Sequence, residues 1–225
     1  MFEPVIIARI KSGFPDKFGV PRQSGMIEGI VSEVVFEGRF NNPDAVRGID
    51  EFSHIWLVWY FDKSAEKEVS LTVRPPKLGG NKRIGVFASR SPFRPNPIGL
   101  SLVKLLSVDF TNGKLRLIVE GADLVDGTPI LDIKPYLPYT ECVTSATGSF
   151  TENTSKVRLY VDFPHILLNK IERDKQEIIT ELLSLDPRPG YQSDEERIYG
   201  VNYYGYNVKF KIDGQTLTVT DVEKA

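Results

Sequence analysis

The first 121 residues carry the feature that most narrows the possible folds. Runs rich in Val, Ile, Leu and aromatic residues fall at Val5–Lys11, Met26–Phe36, Phe52–Phe61, Ile84–Ala88, Gly99–Phe110 and Lys114–Glu120, with long Pro/Gly-rich loops between most of them. Short apolar runs bounded by such loops predict strands. Thr111-Asn112-Gly113 separates the last two runs, and Asn and Gly tolerate the positive φ that a tight hairpin turn needs. Successive strands of this kind predict a β-barrel.

The pattern changes after Tyr139. Residues 141–156, ECVTSATGSFTENTSK, are small and polar and predict a linker. Beyond it, Val157–Phe163 reads as a strand, and Ile166, Leu167, Ile171, Ile178, Ile179, Leu182 and Leu183 recur at helical spacing until Asp186-Pro187 stops them. Arg197–Ile212 and Thr216–Val222 read as two further strands joined by an Asp213-Gly214 turn. The expected organisation is therefore mainly β: a barrel domain over 1–140, the linker over 141–156, and a small α+β domain over 157–225.

At 225 residues and 41% hydrophobic, the chain can bury one large core or two modest ones. A single cysteine, Cys142, excludes an intrachain disulfide, and the two histidines, His54 and His165, lie too far apart in sequence for zinc-ligand spacing, so no metal is expected. His54 reads as a hydrogen-bonded barrel residue, His165 as structural and Cys142 as incidental. The N-terminal apolar run is too short for a signal peptide and no segment approaches a membrane span, which makes the cytoplasm the expected compartment.

A formal net charge of −2 argues against a generic nucleic-acid coat. The local distribution points the other way. Val69 to Val108 contains no Asp or Glu, yet holds Arg74, Lys77, Lys82, Arg83, Arg90, Arg94 and Lys104, mostly in Pro/Gly loops. A basic stretch of this kind suits a phosphate-rich ligand. Within it, Pro92, Pro95 and Pro97 fix the backbone, so the loop can present Arg90, Arg94 and Asn96 with little ordering entropy left to lose. The second concentration of chemistry is Ala122–Tyr139, where Asp123, Asp126 and Asp132 alternate with apolar residues and Asp126-Gly127 marks a turn.

Five stretches in one order, PRQSG (21–25), AVRGIDEFSHIWLVWYF (45–61), TVRPPKLGGNKRIGVFASRSPFRPNPIGLS (72–101), DLVDGTPILDIKPYLPY (123–139) and DPRPGY (186–191), resemble the bacterial tRNA methyltransferase O family from about Val5 to Lys211. The resemblance implies an S-adenosylmethionine-dependent enzyme acting on N6 of threonylcarbamoyladenosine, the modified base just 3′ of the anticodon at tRNA position 37. It implies a single-sheeted β-barrel, a small C-terminal domain and a homodimer. The absence of a GxGxxG turn after a strand agrees with a fold other than Rossmann. By the same resemblance, Gln23, Ser24, Gly25, Asp62, Lys63, Arg90, Leu100, Asp126, Gly127, Thr128 and Pro129 would line the cofactor pocket. The basic residues Arg74, Lys77, Lys82, Arg83 and Arg94, with Arg188, are the candidates for tRNA contact.

The N6 nitrogen of such a base is amide-like, so a proton acceptor is expected beside it. Asp132 and Tyr136, in a segment with the look of the Asn/Asp-Pro-Pro-Tyr loops of other amino-group methyltransferases, are the two candidates. Two other classes compete. A non-catalytic RNA-binding barrel would use the basic loops and exposed aromatics without a cofactor. A metal-dependent phosphoester hydrolase would need a denser set of acids and histidines than this chain places together.

Overall fold

In the computed structural model, which describes residues 3–64, 70–75, 82–152, 158–188 and 196–225, the first eight strands are β1 (Ala8–Lys11), β2 (Val31–Phe36), β3 (His54–Tyr60), β4 (Thr72–Val73), β5 (Ile84–Gly85), β6 (Ile98–Thr111), β7 (Lys114–Glu120) and β8 (Pro129–Pro135). Six of them close into an antiparallel barrel in the order β1-β2-β7-β6-β3-β8, and β4 pairs with β5 as a separate ribbon. Alternation decides what the barrel encloses. Ile55, Leu57 and Trp59 of β3, Val103 and Leu105 of β6, and Leu115, Leu117 and Val119 of β7 point inward and are buried, while the residues between them face out. Asn112 and Gly113 adopt φ of 54° and 70°, and they join β6 to β7 as the sequence predicts. The single-sheeted barrel is thus the architecture of this region.

Two bulges let the long strands bend around the barrel. The β6–β7 register shifts between Leu105 and Ser107, and the β3–β8 register shifts between Val58 and Trp59. Strand β8 lies where the sequence offers a carboxylate-bearing turn segment. It closes the barrel by pairing Ala8 with Ile130 and Arg9 with Pro129. Pro129 is tolerated because it begins the strand.

The second unit is a sheet of order β10-β11-β12-β9, made from β9 (Tyr160–Asp162), β10 (Tyr199–Tyr203), β11 (Tyr206–Asp213) and β12 (Thr216–Lys224). A four-residue helix α1 (Pro138–Glu141) precedes it, and α2 (His165–Leu168) and α3 (Arg173–Ser184) lie between β9 and β10. Ile179, Leu182 and Leu183 form the buried stripe of α3 and pack on Val208, Phe210 and Leu217. The single strand expected over 197–212 is two strands, divided at Tyr204-Gly205 with φ of 53° and 81°. Within the expected linker, residues 141–152 are mostly exposed and include a 3₁₀ turn at Ser149–Thr151.

The strand expected over 26–36 begins only at Val31, because residues 12–30 leave the barrel and serve the other core. Phe14, Ile27 and Ile30 are buried among Val201, Tyr203 and Phe210, not among the barrel residues. Tyr204 N–H donates to the Gly13 carbonyl at 2.8 Å, and the Tyr203 hydroxyl donates to the Gly19 carbonyl at 2.9 Å. Burial pushes the Tyr203 phenol far above its usual range, so it stays a neutral donor. Gly13 is required for space: a Cβ there would lie 2.2 Å from Cε1 of Tyr204. Gly13→Ala is therefore expected to destabilise the protein by about 1–3 kcal/mol through overpacking. A melting temperature equal to the parent's would show that the Tyr204 ring moves aside freely.

Candidate functional site: a basic cleft at one end of the barrel

Three chain crossings meet beside the barrel and are pinned by backbone hydrogen bonds. The Gln23–Gly25 turn has φ of 71° at Gly25, whose N–H donates to the Gly121 carbonyl at 2.9 Å. The Asp126–Pro129 turn has φ of 78° at Gly127, and its Asp126 and Gly127 amides donate to the Phe14 and Ile10 carbonyls at 2.8 Å each. Beyond the end of β3, Asp62-Lys63 enters a short 3₁₀ turn, and Lys63 Nζ reaches the Asp126 carbonyl at 3.0 Å. The expected cofactor residues are thus gathered in one region.

These crossings, the β4–β5 ribbon and the proline loop border an open cleft of about 2690 Å³ that extends to Leu185–Arg188 of the second unit. Gln23, Asp62, Lys63, Arg90, Leu100 and Thr128 line it. Gly25 and Gly127 shape the turns behind. Arg90 Nη1 donates to Gln23 Oε1, so the proline loop is tied to the Gln23 turn. Asp126 uses its carboxylate structurally, with Oδ1 accepting from the Ser12 amide at 2.9 Å. Thr128 Oγ1 donates to the Val125 carbonyl at 2.6 Å, which tightens the same turn.

The proline loop is held by its own serines as well as by its prolines. Ser89 Oγ accepts from the Ser91 amide at 3.3 Å, Ser91 Oγ accepts from the Phe93 amide at 3.2 Å, and Arg94 Nη1 donates to the Ser89 carbonyl at 3.3 Å. Exposed Phe87 and Phe93 stand in this segment alongside the arginines. Arg74, Lys82, Arg83, Arg94 and Arg188 also border the cleft. Lys82 and Arg83 are exposed; Arg188 is not free, because Nε and Nη2 each donate at 2.9 Å to Asp186, which lies two residues beyond α3 and adopts φ of 55°. Lys77 lies outside the described residues.

Asp132 and Tyr136 are not brought to the cleft. Asp132 sits on the outer face of β8 opposite Val58, where its carboxylate accepts from the Ile133 amide and pairs with Lys134 at 2.9 Å. Tyr136 lies at the other end of β3, its amide donating to the His54 carbonyl at 3.0 Å and its ring edge-on to Trp56 and His54. Desolvation, then Cys142 and Glu141, push the Tyr136 phenol up, which keeps it protonated. His54 Nδ1 shares a hydrogen bond with Ser53 Oγ at 2.9 Å.

Among the described residues that line the cleft is an acid that was not in the expected cofactor set, Asp123. Ser101 Oγ donates to Asp123 Oδ1 at 2.5 Å, and Trp59 Nε1 donates to Ser101 Oγ at 3.0 Å. Burial pushes the Asp123 carboxyl above the usual range, against the lowering effects of Ser101, its own amide, Arg90 and the Ser24 amide. Its signal in the sequence is faint: Ala122 and Leu124, its neighbours, are both apolar and buried. Among the described residues, no three His, Cys, Asp or Glu side chains are grouped as metal ligands, and no helix is long and apolar enough to cross a membrane.

Comparison with known proteins identifies the family. Residues 9–142 match the family model of the tRNA-methyltransferase O N-terminal domain, and residues 156–225 match that of the TrmO C-terminal domain. A tRNA (adenine(37)-N6)-methyltransferase of Escherichia coli (strain K12) is 41% identical over 214 residues, covering 92% of this chain and 91% of that protein. An S-adenosyl-L-methionine-binding protein of Archaeoglobus fulgidus is 37% identical over 142 residues, covering 63% of this chain and 94% of that protein. The crystal structure of TrmO from Pseudomonas aeruginosa superposes with a TM-score of 0.76 at 29% identity, covering 99% of each chain. On these matches, which span the barrel and the second sheet alike, the chain belongs to the tRNA-methyltransferase O family.

Proposed function

We propose that this chain transfers a methyl group from S-adenosylmethionine to N6 of adenine 37 in tRNA, and that the adenine it accepts already carries the threonylcarbamoyl group. The observation that carries the reading is that six of the residues expected to hold the cofactor, Gln23, Asp62, Lys63, Arg90, Leu100 and Thr128, border the same cleft as Arg74, Lys82, Arg83, Arg94 and Arg188, expected to hold RNA. Curated relatives named for this reaction or this cofactor support it. S-Adenosylmethionine, when bound, supplies an electrophilic methyl on a sulfonium. The chain's own part is to bind and to align, and alignment alone can lower a barrier by roughly 7 kcal/mol or more.

The site fits such a ligand. Arg90 offers a guanidinium to a carboxylate, and the tight turns at Gln23–Gly25 and Asp126–Pro129 bring backbone amides and carbonyls of the kind that read an adenine edge. The basic rim of Arg74, Lys82, Arg83 and Arg94 would meet anticodon-loop phosphates, and exposed Phe87 and Phe93 offer rings on which unpaired bases can stack. A non-catalytic RNA-binding barrel would not bind S-adenosylmethionine.

A homodimer is part of the same reading. The outer face of β6 and β3 presents Ile98, Leu100 and Leu102 beside Tyr60, Val58 and Trp56 in register, an apolar strip that includes exposed Ile98 and Leu100. A second copy would cover it, in the cytoplasm where tRNA is found. Asp132 flanks this strip, one strand beyond Val58, and Tyr136 packs against Trp56. Either would reach the N6 proton only across that interface.

Four measurements test the proposal. Arg90→Ala should raise the S-adenosylmethionine dissociation constant by roughly tenfold or more in calorimetric titration and leave tRNA affinity nearly unchanged. The double substitution Lys82→Ala and Arg83→Ala should do the reverse, flattening the slope of log K for tRNA against log salt by about one to two units. Loss of tRNA affinity alone in Arg90→Ala would place the proline loop in the RNA site. In mass spectrometry of tRNA nucleosides, unmodified adenosine 37 should be methylated far more slowly than its threonylcarbamoyl form, since the added carboxylate gives the basic loops an anchor. Equal rates would remove the threonylcarbamoyl group from the reading. Leu102→Glu should shift the sedimentation coefficient to that of a monomer, and an unchanged coefficient would count against the β3–β6 face.

A further inference from the structure

Of the three carboxylates between Ala122 and Tyr139, only Asp123 borders the cleft. Asp126 is turned to the Ser12 amide and Asp132 is outside the barrel. The surroundings of Asp123 are built to receive an anion. Trp59 Nε1 can only donate, so its 3.0 Å hydrogen bond occupies a lone pair of Ser101 Oγ and leaves the Ser101 proton for Asp123 at 2.5 Å. Ser101 is fully buried, and Trp59 is held against Gly99, where a Cβ would meet its ring at 2.2 Å. The backbone amides of Ser24 and Asp123 and the Arg90 guanidinium also favour the charged form. Burial still outweighs these partners. A negative charge lines the cleft with its compensation incomplete, and the group that would complete it is a cation inside the cleft.

Methyl transfer changes the cofactor in one electrostatic respect. The sulfonium carries a positive charge, and the demethylated product, S-adenosylhomocysteine, is a neutral thioether of nearly the same shape. We propose that Asp123 is the specificity-determining residue by which this cleft prefers the positively charged methyl donor to its neutral product. The inference rests on the placement of the cofactor in this cleft and adds a role for a residue outside the expected cofactor set. Asp62, the other carboxylate of the cleft wall near the turns, is exposed and therefore screened by water, so it contributes little to this preference. Release of product would follow from loss of the charge, without any change in the shape of the site.

The test is calorimetric titration of the full chain with three ligands: S-adenosylmethionine, S-adenosylhomocysteine, and sinefungin, whose protonated amine keeps a positive charge where the sulfonium stood. Asp123→Asn, nearly isosteric, should weaken the two cations by about tenfold, the order expected when a partly buried charge pair is lost, and change the neutral product by less than about twofold. Asp123→Glu, which keeps the charge, should retain the preference for cations. Thermal denaturation of Asp123→Asn should give a melting temperature no lower than the parent's, since the neutral residue no longer bears a desolvated charge. Equal weakening of all three ligands would make Asp123 a prop for the Ser24 turn and overturn the proposal, as would titrations unchanged in Asp123→Asn while Arg90→Ala weakens binding. If neither Asp123→Asn nor Arg90→Ala alters any titration, the cofactor lies outside this cleft and the functional reading falls with the inference.

Discussion

The whole arrangement hangs on the interlock between the exit of β1 and the Leu124–Thr128 segment. Gly127 N–H binds the Ile10 carbonyl, Asp126 N–H binds the Phe14 carbonyl, Ser12 Oγ donates to the Leu124 carbonyl at 2.9 Å, and Arg9 Nη1 donates to the Gly127 carbonyl at 2.9 Å. Each bond ties two segments more than a hundred residues apart. Together they start the β1–β8 closure, turn residues 12–30 outward towards the second core, and fix the turn that backs the cleft. Positive φ at Gly127 makes the geometry accessible at no steric cost. The site is a by-product of closing the barrel, so its turns are held by the protein's own hydrogen bonds before any ligand arrives.

Charge is distributed to match. The chain is formally slightly acidic, yet the cleft rim is drawn from a stretch of forty residues without an acid. The carboxylates that do enter the region differ in exposure, and exposure sets what each can do. Asp126 is spent on a backbone amide, Asp62 is open to water, and Asp123 is sheltered. Surface ion pairs elsewhere, such as Lys11–Glu33 and Arg47–Asp44, contribute at most about 1 kcal/mol each and leave the design unaffected.

Much of this was legible in the sequence because two signals are local. Apolar runs identify β3, β6 and β7, and Asn112-Gly113 identifies the β6–β7 hairpin. The motif series gathers Gln23, Arg90, Leu100 and the Asp126–Pro129 turn, which no periodicity could have joined. What stayed hidden was non-local. Strand β8 carries Pro129, Asp132, Lys134 and Pro135, and its bulge places the inward residues Ile130 and Ile133 three apart, so the period of two is broken. Tyr204 gives no turn signal, being a bulky residue at positive φ that its packing on Gly13 and Phe14 sustains. Asp123, Asp126 and Asp132 look alike in sequence, and only the closed barrel sorts them into cleft, turn and outer face.

The burial of Phe14, Ile27 and Ile30 in the second core has a consequence for synthesis on the ribosome. Gly13 and Tyr204 are 191 residues apart, so the N-terminal segment emerges long before its packing partners exist. At about 5–20 residues per second, those apolar side chains wait roughly ten to forty seconds, unless other surfaces or chaperones cover them. The barrel strands can pair during that interval, but the segment between β1 and β2 cannot reach its final place. Nascent chains of this protein therefore pass through a stage in which the cleft wall is half assembled, and that stage is when aggregation and proteolysis have their opportunity.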